Sequence, residues 1–152
     1  MHCRNDGRNN DTSAFSFTFN VCGALSLTQT PQECQGLSPD PSTCAFQSIP
    51  AGPSFPGYCQ SLGVFSAAAP PSYALLDPYD PSYGFNMTYA VPSSSGSNGC
   101  TAPSFHLIFR CGYDDWLPPS SSTSLRVLIT ETFNCHYEAY SWTKKGCPLG
   151  GF

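Results

Sequence analysis

The segment Asn134-Cys135-His136-Tyr137-Glu138-Ala139-Tyr140-Ser141-Trp142-Thr143-Lys144-Lys145-Gly146-Cys147 couples two cysteines to a run rich in aromatic residues and poor in helix formers. Aromatic and β-branched side chains suit a pleated, half-buried surface, so a strand is predicted. Tyr137, Tyr140 and Trp142 do not keep a single two-residue period. With a cysteine near either end, the segment reads as a stapled, half-buried edge of an extracellular β-fold.

Working outward, Phe15, Phe17, Phe19 and Val21 alternate with Ser16, Thr18 and Asn20, the clearest strand pattern in the chain. Phe105, Leu107 and Phe109 alternate with His106, Ile108 and Arg110 in a second strand that ends at Cys111. Gly84 to Val91 and Leu125 to Thr130 are strand-like in composition. Two proline-punctuated tracts, Ser38 to Pro56 and Ala67 to Ser82, read as loop, and Pro92 to Gly99 and Pro118 to Ser124 as exposed connections. No segment has helical periodicity of useful length. The expected fold is all-β: a flattened antiparallel β-barrel or two-sheet sandwich stapled by disulfides.

The 152 residues suit one domain spanning 1–152, expected to be processed or cut from a larger secretory glycoprotein. Nine cysteines, none in a Cys-x-x-Cys spacing, point to disulfides in an oxidising compartment: the secretory lumen, the cell surface or the extracellular space. His2, His106 and His136 are not grouped to complete a zinc tetrahedron, so neither a metal nor a cofactor is expected. The sequons Asn10-Asp11-Thr12 and Asn86-Met87-Thr88 make Asn10 and Asn86 candidate glycosylation sites. Six basic residues against ten acidic ones leave no electrostatic footprint for nucleic acid or anionic lipid. No apolar run is long enough to span a bilayer.

Hydrolytic chemistry finds little support. There is no Gly-x-Ser-x-Gly elbow, and serine concentrates in turns. Asp114-Asp115 beside Trp116 reads as a solvated turn; a glycosidase would need separated, opposed carboxylates, such as Asp114 and Glu131.

Cys135-His136-Tyr137, followed by Trp142-Thr143 and Cys147, resembles the closing strand of the mannose 6-phosphate receptor homology domain, a lectin-like module of secretory-pathway receptors. Three more segments resemble that family in the same order. Phe19-Asn20-Val21-Cys22-Gly23 is similar to its second cysteine segment, Cys59-Gln60 to its cysteine-glutamine pair, and Phe105 to Cys111 to its strand ending in the sixth cysteine. The resemblance covers nearly the whole chain. It implies a flattened β-barrel of two sheets in which glutamine, arginine, glutamate and tyrosine hold a sugar. Gln60 then takes the glutamine role, Tyr137 the tyrosine role, and Glu131 falls where the glutamate can lie. Each also has a plain structural reading: a surface residue after a cysteine, a core aromatic, and a solvated strand residue.

The chain departs from the family at the arginine, whose position is held by Pro103. Arg110 and Arg126 replace it only if strand register or face changes. Loss of a charged donor costs on the order of 1.5 to 3 kcal/mol, which disfavours a phosphorylated mannose. The resemblance also implies the pairs Cys3–Cys22, Cys100–Cys135 and Cys111–Cys147. The Cys59-Gln60 match suggests Cys44–Cys59 with Cys34 left over; alternatively Cys34 pairs with Cys44, Cys59 is free, and Gln47 competes with Gln60 for the glutamine role. The expected function is a noncatalytic, mannose-type glycan-binding module with a glycan or glycoprotein partner. The alternative is a structural subunit that self-associates or packs against neighbours in its parent chain.

Overall fold

A computed structural model describes residues 2–4, 15–36, 40–92, 102–112, 128–133, 135–143 and 147. The described strands are β1 (His2–Arg4), β2 (Ser16–Phe19), β3 (Thr43–Ile49), β4 (Tyr58–Val64), β5 (Ser72–Leu75), β6 (Gly84–Thr88), β7 (Ser104–Cys111), β8 (Leu128–Phe133) and β9 (His136–Thr143). One short helix, α1 (Gln32–Gln35), lies between β2 and β3. The strands form two sheets, ordered β1-β2-β3-β4 and β5-β6-β7-β9-β8. Neither sheet closes into a barrel, so the two-sheet form of the expected all-β fold is the one realised.

Three local expectations change. β3 lies inside the tract Ser38 to Pro56 and β5 inside Ala67 to Ser82, both read as loop from their prolines. The prolines bracket these strands rather than interrupt them: Pro41 and Pro50 stand outside β3, and Pro70, Pro71 and Pro78 outside β5. A proline removes a ladder donor only at its own position, so it bounds a strand as readily as it breaks one. β9 is not an edge. It runs parallel to β7 on one side and antiparallel to β8 on the other.

The facing sheet surfaces make the core. Phe17, Phe19, Cys44, Ala45 and Leu62 from the four-stranded sheet meet Met87, Phe105, Leu107, Phe109, Ile129, Tyr137 and Ala139 from the five-stranded sheet, with Tyr89 just past β6. Phe105 lies at the centre. Its ring is 5.4 Å from that of Phe19, 6.5 Å from Phe17 and 5.8 Å from Tyr89, separations at which aromatic pairs attract beyond their burial. Gly63 is required here, because a Cβ on it would stand 2.6 Å from the Tyr89 Cβ. Tyr89 in turn donates from its hydroxyl to the Asn20 carbonyl, 2.7 Å away, tying the turn after β2 to the other sheet.

The outer face of the four-stranded sheet is covered by a satellite cluster of Leu25, Cys34 and Phe46, against which Cys59 packs. A disulfide joins Cys34 to Cys59. Neither pairing weighed from sequence occurs, and the register shifts of β3 on either side of Ala45 explain why. Cys59 lies opposite Ser48, on the Phe46 side of the sheet that α1 covers, whereas Cys44 belongs to the core between the sheets. Cys44 is therefore a fully buried thiol rather than half of a bridge, and Cys34 is not the odd cysteine.

The Cys3–Cys22 pairing implied by the resemblance is also corrected, because Cys22 is an exposed free thiol. Register places Cys3 opposite Phe17, while Cys22 lies past the end of β2 in the turn organised by Asn20. Cys111 is bonded to Cys147, as the resemblance implies. Cys135 is disulfide-bonded too, and Cys100, its implied partner, lies outside the described residues. These bridges mark an oxidising extracellular or secretory compartment. No described helix is long and apolar enough to cross a membrane.

Candidate functional site

Register brings the three sequence-predicted sugar-binding residues together. In the four-stranded sheet Gln47 on β3 lies directly opposite Gln60 on β4. In the five-stranded sheet Glu131 on β8 lies opposite Tyr137 on β9. Tyr137 then crosses the gap, its hydroxyl donating to Gln47 Oε1 at 3.3 Å. Tyr58, two residues before Gln60 and so on the same face, donates from its hydroxyl to Gln60 Oε1 at 2.7 Å. The result is two amides and two phenols gathered between the sheets, with one carboxylate beside them.

Burial varies across the group. Gln60, Gln47 and Tyr137 are 3%, 5% and 5% exposed, Tyr58 is half-buried and Glu131 is exposed. Gln60 is thus no surface residue, and its Nε2 is buried with no hydrogen-bond partner. Tyr137 is a core aromatic, as its structural reading held, and its hydroxyl meets an amide.

Burial pushes the Tyr137 phenol well above its ordinary value, and the Glu131 carboxylate pushes it further. Tyr58 is raised by the same two causes in the same order. Register opposite Tyr137 sets Glu131 beside the gap. Both phenols stay protonated, and therefore able to donate, across the physiological range.

Glu131 also has a structural task. Its Oε1 accepts the Cys135 backbone N–H at 2.9 Å. Cys135 turns the β8–β9 hairpin with φ at 67°, a left-handed conformation that costs a non-glycine residue about 1 to 2 kcal/mol. The carboxylate thus helps hold the turn that places Tyr137.

Gln47 and Gln60, alternatives in the sequence reading, are cross-strand neighbours in one cluster. Tyr58 was missed. The signal was its i, i+2 spacing from Gln60, which acquires meaning only once β4 is recognised. Pro103 is fully buried immediately before β7. Arg110 does not substitute for the missing arginine: it is exposed at the far end of β7, its guanidinium 5.8 Å from the Tyr140 ring centroid. Arg126, Asp114, Asp115 and Asn10 lie outside the described residues. Asn86 is half-buried in the middle of β6, between Ala74 and Ile108, with its Oδ1 buried and unbonded.

A second polar group occupies the outer face of the five-stranded sheet. Ser104 pairs with His136 and His106 with Glu138 across β7 and β9. The Ser104 hydroxyl bonds to His136 Nδ1, and the Thr88 hydroxyl to His106 Nδ1 at 2.8 Å. Burial lowers the His106 pKa; Glu138 opposes that shift and His136 reinforces it. Tyr140 donates to Glu138, and burial foremost, with this bond, pushes its phenol up to about 12. Two histidines that looked isolated in sequence thus share a face. Among the described residues, no three or more His, Cys, Asp or Glu side chains are grouped to hold a metal ion. Compared with known proteins, the chain matches no family model and no curated protein.

Proposed function

We propose that the chain is a noncatalytic, lectin-like module that holds a neutral, mannose-type glycan in the gap between its sheets, within a glycoprotein of the secretory pathway or cell surface. The observation that carries this reading is the Gln60 Nε2, buried and unbonded in the cluster of Gln47, Tyr58, Glu131 and Tyr137. A buried donor left unpaired costs about 1 to 3 kcal/mol, which an acceptor oxygen on a ligand would relieve. Sugar hydroxyls donate and accept at fixed angles, and an amide donor, a carboxylate acceptor and two phenols answer both needs. Glu131 is the only charge among the five, so a phosphomonoester would meet repulsion with no cation in the cluster to offset it. The resemblance to the mannose 6-phosphate receptor homology domain independently selects Gln60, Glu131 and Tyr137. Glycan-array binding tests the proposal: mannose-terminated glycans should give signal that falls in Tyr137→Phe and Gln60→Ala. An absent signal, or one unchanged in both variants, ends it.

A second reading, a structural subunit, is favoured by β5. This edge strand, Ser72-Tyr73-Ala74-Leu75, carries no charge or proline, and all four residues are exposed. Tyr79 and Tyr83 are exposed beside it in sequence. Uncharged open edges recruit further strands. Light scattering at high concentration discriminates the readings: a glycan-binding module stays monomeric, whereas a subunit assembles.

A further inference from the structure

We infer that Tyr58 is a positioning residue of this site: by holding the Gln60 carbonyl oxygen, its phenol fixes which end of the amide is left free to meet a ligand. The role in ligand binding rests on the glycan reading above; the positioning itself does not.

The terminal torsion of a glutamine is broad and roughly two-fold, so an unanchored Gln60 could present either amide end to the gap. Here the Tyr58 hydroxyl donates to Oε1 over 2.7 Å, which leaves Nε2 as the unbonded end. Tyr58 is itself held: Phe15 packs edge-on against it, with ring centroids 5.9 Å apart and planes at 74°. Burial and the Glu131 carboxylate both keep the phenol protonated, so it remains a donor. Tyr58 therefore acts through Gln60. Gln47 provides an internal comparison, since Tyr137 rather than Tyr58 donates to its carbonyl.

The test is Tyr58→Phe, which removes one oxygen and keeps the ring. In the 15N-labelled protein the Gln60 side-chain amide resonances should shift while those of Gln47 stay in place. Affinity for a mannose oligosaccharide should fall roughly tenfold, the equivalent of one lost hydrogen bond. The dispersed backbone spectrum of the same sample reports that the fold persists. Unmoved Gln60 amide resonances overturn the positioning role, whatever the sugar does. A shifted Gln60 amide in a protein whose wild type ignores the oligosaccharide upholds positioning and sinks the glycan reading instead.

Discussion

Cys44 should be inert to alkylation in the folded protein although it is a free thiol. It is fully buried in the core between the sheets, and burial raises its pKa from 9.0 to about 12. A shift from 9.0 to about 12 is three powers of ten, so at pH 8 the reactive thiolate is depleted roughly a thousandfold. Reagent must also reach it, which requires the two sheets to separate, so labelling should follow global opening. The assay is a timed iodoacetamide pulse on native protein, with mass spectrometry of the peptides. Exposed Cys22 should label in the native state and Cys44 only after denaturant is added. Cys34, Cys59, Cys111, Cys135 and Cys147 should stay unlabelled until a reductant is present. Native labelling of Cys44 within tenfold of the Cys22 rate, or a cross-linked peptide joining Cys44 to Cys34 or Cys59, would refute the reasoning.

Three further outcomes follow from the packing and the charges. Because the His106 pKa is lowered in the fold, chiefly by burial, the unfolded chain takes up a proton that the native state resists; stability should decline as pH falls from about 6.5 through the lower native value. Thermal melts at pH 7.5 and 5.5 should show that loss, and His106→Gln should reduce it; a melting temperature that rises on acidification counts against the idea. Gly63→Ala drives a methyl group against Tyr89 and should destabilise by about 1 to 3 kcal/mol in urea unfolding, whereas an unchanged midpoint would mean the sheets yield more easily than the 2.6 Å approach implies. Glu131→Gln keeps an oxygen for the Cys135 N–H but removes the carboxylate from the gap, so mannose affinity should fall with little change in melting temperature; a large loss of stability would assign Glu131 to the turn alone.

Much of the fold was legible where one face of a strand is aromatic or aliphatic. Phe17 and Phe19 disclosed β2, and Phe105, Leu107 and Phe109 disclosed β7, because each set points into a single core. β3 was hidden: its flanking prolines dominate its window, and its residues are buried on both faces, which erases the alternation a half-buried strand displays. The parallel β7–β9 pair leaves no local trace, since pairing direction depends on where the chain returns. Disulfide partners failed for a related reason. Cys44 and Cys59 look equivalent in sequence until register puts one in the core and the other on the face that α1 covers. Of the candidate site, the resemblance named Gln60, Glu131 and Tyr137; the Gln47–Gln60 pairing puts both amides in one cluster, and the Tyr58 bond to Gln60 adds the second phenol.

The most direct test is to titrate the 15N-labelled wild-type chain with a neutral mannose oligosaccharide and map the resonances that move. Saturable shifts centred on the side-chain amides of Gln47 and Gln60 and the backbone amides of Tyr58, Glu131 and Tyr137 are predicted. A spectrum that stays still at millimolar sugar, or one that responds at Ser104, His106 and His136 on the opposite face of the five-stranded sheet, would contradict the proposed site.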